Sequence, residues 1–153
     1  MTVLDSPIQR IKQRTQKAHE QVEALLSERF FSETMDRSRF NQLLETYYGI
    51  YAGLDPRLKH ASSRHLNDYT YHERTPRLEK DLRILNDSDF DGDGLKTVPD
   101  SWVPELHSVE ATLGSLYVVE GSENGNQVIW STLDDQLSDE ALCADHFFGH
   151  DSG

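Results

Sequence analysis

Apolar residues recur at steps of three and four along most of this chain, and no stretch of any length alternates with the period of two that a half-buried strand requires. The first such stripe is Ile8, Ile11, Thr15, Ala18, Val22 and Leu25. Ser6 stands before it as an N-cap, and Pro7 fits the first helical position, where its missing N–H leaves nothing unpaired. A second helix is predicted from near Asp36, carrying Phe40, Leu43, Leu44, Tyr47, Ile50, Tyr51 and Leu54 before Pro56 ends it. Residues 57–74 are polar and predict only partial helix. Thr75-Pro76 is another cap-plus-proline start, with Leu78, Leu82 and Leu85 on one face. Pro104 is expected to open a helix through Leu106, Val109, Leu113, Leu116 and Tyr117. That helix runs into GSENGN at 121–126, beyond which residues 127–137 resume the pattern. A short helix is expected within residues 139–148. The fold class that follows is all-α, as one domain over residues 1–153 without internal repeats.

Charge and composition remove several functions. Lys and Arg number 15 against 27 Asp and Glu, a net charge of -12, which opposes nucleic acid or an anionic membrane surface as the principal partner. A single cysteine allows neither an internal disulfide nor a multi-cysteine metal site. The N-terminal residues lack the apolar run of a signal peptide and no window approaches a membrane span, so a cytoplasmic location is expected. The same acidity means that an anionic small ligand needs a local exception. Arg10, Lys12, Arg14 and Lys17 in the first helix supply a basic cluster of that kind.

Two places could carry chemistry. His19 lies on the border of the first apolar stripe, with Lys12 and Glu23 close to it in angle. Glu23, one turn on, can accept the N–H of the second ring nitrogen, which fixes the tautomer and makes the imidazole a better ligand for a metal or heme iron. The same spacing also describes an ordinary surface histidine with an i,i+4 partner. The other place is Gly121-Ser-Glu-Asn-Gly-Asn126. Interior glycines cost a helix about 1 kcal/mol each relative to alanine, yet they let a flat ligand approach the backbone. The alternative is a helix–turn–helix closed by a C-cap glycine.

Other groupings are weaker. Residues 87–94 place oxygens at positions one, three and five and glycine at six of a calcium loop, but Val98 stands at twelve, where a bidentate glutamate is needed. A solvated loop is the plainer reading. His146 and His150 could clamp zinc with Asp145 or Asp151, or be exposed histidines. His60, His65, His72 and His107 form no ligand-like group. Cys143 reads as a small half-buried residue, and Trp102, Trp130, Tyr47, Tyr48 and Tyr51 as core or groove-lining aromatics.

The segment Ile11-Lys12-Gln-Arg-Thr15-Gln-Lys-Ala-His19-Glu-Gln-Val-Glu23 resembles the proximal-helix motif of biliverdin-forming heme oxygenases. Leu113-Gly-Ser-Leu-Tyr-Val-Val-Glu-Gly-Ser122 is similar to the distal-helix signature of their bacterial, phytochrome-associated branch. Residues 40–58 resemble the family's second helix, with Tyr48-Gly49 and Tyr51 in register, and residues 74–82 fit a recurrent family stretch. The resemblance covers nearly the whole chain, in order. It implies a multi-helical fold with heme between a proximal and a distal helix. Heme is then both cofactor and substrate, cleaved with O2 and electrons from a ferredoxin or a reductase to biliverdin, CO and iron. By the same resemblance His19 is the proximal ligand to the metal, Glu23 accepts its other N–H, and Lys12 helps hold a propionate. Thr15 and Tyr117 join the heme-binding set. Gly121, Ser122 and Gly125 are the distal catalytic positions, where absent side chains leave the sixth iron position open to O2.

The chain departs from the family pattern in places. Glu123, Asn124 and Asn126 stand where the bacterial signature runs through small residues, leucine and paired glycines. Asn126 replaces a glycine and obstructs close approach unless its side chain turns away. Ser122 occupies a position where many members carry an aspartate and the bacterial branch commonly a serine. Residues 146–153 resemble the loop before the family's final helix, so a C-terminally truncated domain is expected, either a fragment or a shortened, degenerate member. The alternative function is a non-catalytic heme-binding or scaffold protein that keeps the fold.

Overall fold

A computed structural model describes residues 6–87, 90 and 92–149. Among them the chain forms helices α1 (Pro7–Leu26), α2 (Arg37–His65), α3 (Thr75–Leu85), α4 (Val109–Asp134) and α5 (Asp139–Leu142), with no strand, so the class is all-α. Two compact units result, the first reaching Met35 and the second beginning at Asp36.

In the first unit, α1 starts where Ser6 and Pro7 place it. The Gln9 N–H donates to the Ser6 hydroxyl at 3.2 Å, and the Ser6 N–H donates to the Gln9 side chain at 2.8 Å, closing a capping box. No α1 residue is buried. Its stripe residues Ile8, Ile11, Val22 and Leu25 are between 38 % and 66 % exposed. The stripe exists as the periodicity requires, and the described residues of its own unit leave it exposed. A π-helical turn over Ser27–Phe31 continues α1 and buries Phe30.

In the second unit, α3 and α4 pack on α2. Asp36 caps α2 by accepting the Arg39 N–H at 2.8 Å. The helix does not stop at Pro56; it continues to His65. An interior proline forfeits a backbone bond and costs about 3 kcal/mol. Here burial of Tyr51 and Asp55 before it, and of Leu58, Ala61 and Ser62 after it, holds both halves in one helix. The loop after residue 94 crosses α2 at Gly49, where the Val98 N–H donates to the Gly49 carbonyl at 3.1 Å. A Cβ on Gly49 would collide with the Lys96 carbonyl oxygen, so this crossing requires glycine.

Helix α4 begins at Val109, not at Pro104, because the Ser108 hydroxyl accepts the Ala111 N–H at 3.1 Å and so fixes the N-terminus there. It then runs unbroken through residues 121–126, with no glycine at positive φ, so neither a helix–turn–helix nor a C-cap glycine interrupts it. Helix α5 is a single turn, shorter than expected. The turn after it drives Phe147 and Phe148 into the core beside Tyr47 and Phe40. Asp81 holds that turn from α3, accepting the His146 and Phe147 N–H groups at 3.0 and 2.8 Å and the His146 ring at 2.7 Å. Trp130 packs near Phe40, whereas Trp102 is 75 % exposed and belongs to no core, and Cys143 is exposed. Ser88, Asp89 and Asp91 of the acidic loop, and His150 with Asp151, lie outside the described residues. Among the described residues no three His, Cys, Asp or Glu side chains converge on a metal-sized site.

Candidate functional site

The first unit gathers four of the sequence-predicted site residues on one face. At about 100° per residue, Lys12, Thr15, His19 and Glu23 fall within about 80° of the α1 circumference. His19 Nδ1 lies 3.5 Å from Glu23 Oε1, with the two side chains 73 % and 64 % exposed. The carboxylate orients the ring through Nδ1. The Thr15 hydroxyl donates to the Ile11 carbonyl at 2.8 Å, so its polar group serves its own helix. The basic cluster does not act as one group. Lys12 shares the His19 face, whereas Arg10, Arg14 and Lys17 lie about 140–180° around the helix from His19.

The second unit carries the other four. Along α4, Thr112, Leu116, Val119, Glu123, Asn126 and Leu133 are buried on one arc. The opposite arc holds Leu113, Gly114, Tyr117, Val118, Gly121, Asn124, Gly125 and Val128, all of them exposed. A Cβ built on Gly114, Gly121 or Gly125 meets no atom within 4 Å. Each therefore costs helix stability, about 1 kcal/mol, without serving any internal contact. Asn126 lies about 140° from Gly121 and is buried, so its side chain turns away from the glycine face. Glu123 turns inward likewise. Ser122 sits at the edge of the face; its hydroxyl donates to the Val119 carbonyl at 2.6 Å and lies 3.5 Å from the Tyr51 hydroxyl.

The inward face of α4 is held by charge. Glu123 Oε1 accepts from Arg74 Nε at 3.2 Å and from Arg77 Nη2 at 2.9 Å, and Arg74 Nη2 reaches Glu120 Oε2 at 3.1 Å. The Tyr69 hydroxyl donates to Glu120. Burial works against the Arg74 charge, but Tyr71, Glu120 and Glu123 more than restore it, so the guanidinium stays protonated. Arg74 is placed in turn by Asp55 of α2. This carboxylate accepts the Arg74 N–H at 2.9 Å, the Thr75 N–H at 2.7 Å, the Thr75 hydroxyl at 2.6 Å and the Tyr71 hydroxyl, capping α3 from a neighbouring helix. Burial raises the Tyr51 and Tyr71 phenols above their ordinary range and pushes Tyr69 up to about 12, so all three stay neutral donors. The sequence reading assigned no role to Arg74, Arg77 or Glu120. One signal pointed to them: a glutamate on the buried side of α4 must find cations, because an unpaired buried carboxylate is too costly.

The first unit offers an oriented imidazole with a lysine on the same face; the second, taken by itself, offers a largely apolar face of α4 whose glycines expose backbone. The sequence profile of the heme oxygenase family matches residues 6–129, a span that contains α1, α2, α3 and α4 through Ile129. No curated protein and no solved structure matches. The match covers most of the chain and all eight candidate residues of the two units, and the chain belongs to the heme oxygenase family.

Proposed function

We propose that this chain is a heme oxygenase that ligates heme through His19 and opens it, with O2 and electrons from an external donor, to biliverdin, CO and iron. Family membership supports heme as the ligand. The observation that carries the reading is the glycine face of α4. Its three glycines weaken the helix, and no contact among the described residues explains them. A planar ligand lying against the backbone does. The donor set fits the same group: an imidazole whose second nitrogen meets a carboxylate, and a lysine on the same face for a propionate.

When bound, heme supplies both the redox iron at which O2 is reduced and the ring that is cleaved. The chain's own residues bind and orient. Glu23 holds the His19 ring, and Lys12, about 10 Å along the helix from His19, anchors an anionic edge. Gly121 and Gly125 leave room above the backbone, and the exposed Leu113, Tyr117 and Val118 give the same face apolar surface. Ser122 offers a hydroxyl at its border, beside Tyr51. Glu123 and Asn126 are buried and point away from the glycine face, so of the three polar departures only Asn124 is exposed on it, and the face stays open to a heme.

Hemin titrated into the protein is expected to give a histidine-type Soret band, lost in His19→Ala and restored by added imidazole. An unchanged spectrum in the variant would sink the ligand assignment. With reductant under air, biliverdin absorbance is expected; intact heme would establish the non-catalytic reading instead.

A further inference from the structure

The outward arc of α4 carries two side chains with hydrogen-bond donors, Tyr117 and Asn124, among its glycines and aliphatic residues. The polar groups at its borders are engaged elsewhere. Ser122, about 100° around the helix from Gly121, gives its proton to the Val119 carbonyl at 2.6 Å. Glu120, about 100° to the other side, accepts from Tyr69 and pairs with Arg74. Glu123 and Asn126 are buried. The Asn124 carboxamide is exposed, and it bonds to none of the described residues. An amide with two free N–H donors therefore stands one turn from Gly121, next to Gly125.

Helix direction separates the two donors. The Cα–Cβ bonds of a helix tilt toward its N-terminus, so a side chain covers the turn before its own Cα. Asn124 lies about 4.5 Å beyond Gly121 along the axis and about 60° around from it, so it leans back over the surface that Gly121 leaves bare. Tyr117 lies about 6 Å before Gly121 and leans the other way, toward Leu113. We infer that the Asn124 amide donates a hydrogen bond to the diatomic ligand that heme holds in the room left by Gly121 and Gly125; this rests on the proposed function, which sets heme against that face. The donors around a heme's open position decide which ligand it keeps. O2 withdraws charge from ferrous heme and CO withdraws much less, so one N–H at this place favours O2 over CO. Asn124 is thus a specificity-determining residue, and it acts without a charge or a titrating proton.

The test uses the ferrous heme-loaded protein with CO and O2 as probes. Asn124→Leu removes the amide and keeps its bulk. A hydrogen bond to CO lowers the C–O stretch, so the infrared band should move to higher frequency in this variant. Displacement of O2 by CO in stopped flow should be about tenfold faster, the equivalent of one hydrogen bond, while CO affinity changes by less than about threefold. Asn124→Gln keeps the donor and should retain most of the wild-type behaviour; Asn124→Asp has no donor when ionised and should follow the Leu variant. All three should keep the wild-type far-UV spectrum and hemin Soret band. A C–O stretch and an O2 displacement rate unmoved in Asn124→Leu overturn the inference. A shift found in Tyr117→Phe in their place overturns it too, and assigns the donor to that phenol. Hemin binding lost in Asn124→Leu with an intact far-UV spectrum also overturns it, because the side chain then holds the ring and not its ligand. Failure of the wild type to bind hemin is a separate result and refutes the proposed function; hemin bound equally by wild type and Asn124→Leu, with identical ligand spectra, refutes this inference alone.

Discussion

Asp55 concentrates more of the second unit's order in one side chain than its position in the middle of α2 suggests. It is 1 % exposed, and its two oxygens accept four donors: two backbone N–H groups at the start of α3, the Thr75 hydroxyl and the Tyr71 hydroxyl. Oδ2 alone takes the Arg74 and Thr75 N–H groups and the Thr75 hydroxyl; Oδ1 takes Tyr71. Asp55→Ala removes the acceptor and leaves two buried N–H groups unpaired at a cost of about 1–3 kcal/mol each, together with a lost cap worth about 1 kcal/mol. A loss of about 3–5 kcal/mol is expected once water entering the vacated space is allowed for. Asp55→Asn behaves differently. Its one carbonyl oxygen can keep the three donors on the α3 side, while its amide donates to the Tyr71 oxygen, whose hydroxyl turns away. That change should cost about 1 kcal/mol. Urea denaturation followed by far-UV circular dichroism separates the two. With a slope of about 2 kcal/mol/M, the Ala variant's midpoint falls by about 2 M and the Asn variant's by about 0.5 M. An Ala variant within 1 kcal/mol of wild type, or an Asn variant as unstable as Ala, would refute the account of Asp55 as a cap satisfied oxygen by oxygen.

Gly121→Ala and Gly125→Ala should each stabilise the fold by about 0.5–1 kcal/mol, because a Cβ meets nothing there, and should weaken hemin binding; stability that rises with unchanged affinity would remove these glycines from the heme surface. Glu120 shows a pH dependence of known sign. Burial raises its pKa, but the Tyr69 hydroxyl and Arg74 outweigh burial and hold it below its ordinary 4.5. Its ionised form therefore contributes stability that is present above 4.5 and lost as pH falls through the lower folded value. Glu120→Gln should be less stable than wild type at pH 7, with the gap closing below 4.5; a gap independent of pH in thermal melts would contradict the ion pair. Asp81→Ala removes the fully buried acceptor of the His146 and Phe147 N–H groups and should cost about 3–5 kcal/mol. Hydrogen exchange at those two amides should accelerate with it, and unchanged protection would show that the turn is held by its phenylalanines alone.

Local chemistry was enough to place the start of α1, since a serine, a proline and a glutamine at fixed offsets satisfy orphan N–H groups with no help from elsewhere. The Asp36 cap of α2 rests on the same local chemistry, and the shared face of Lys12, His19 and Glu23 follows from helical period. Period does not say which arc meets protein. Asn126 and Glu123 look like intruders on a ligand face until Arg74 and Arg77, 49 and 46 residues from Glu123, draw that glutamate inward. Their approach turns the side bearing Asn126 to the interior and the glycines outward. The same long-range packing carries α2 past Pro56 against its local preference, because burial on both sides of the proline outweighs one missing backbone bond. The α1 stripe shows the converse. Period puts Ile8, Ile11, Val22 and Leu25 on one face, yet the described residues of their own unit leave that face exposed, because an apolar stripe records only that something must cover it and not which partner does.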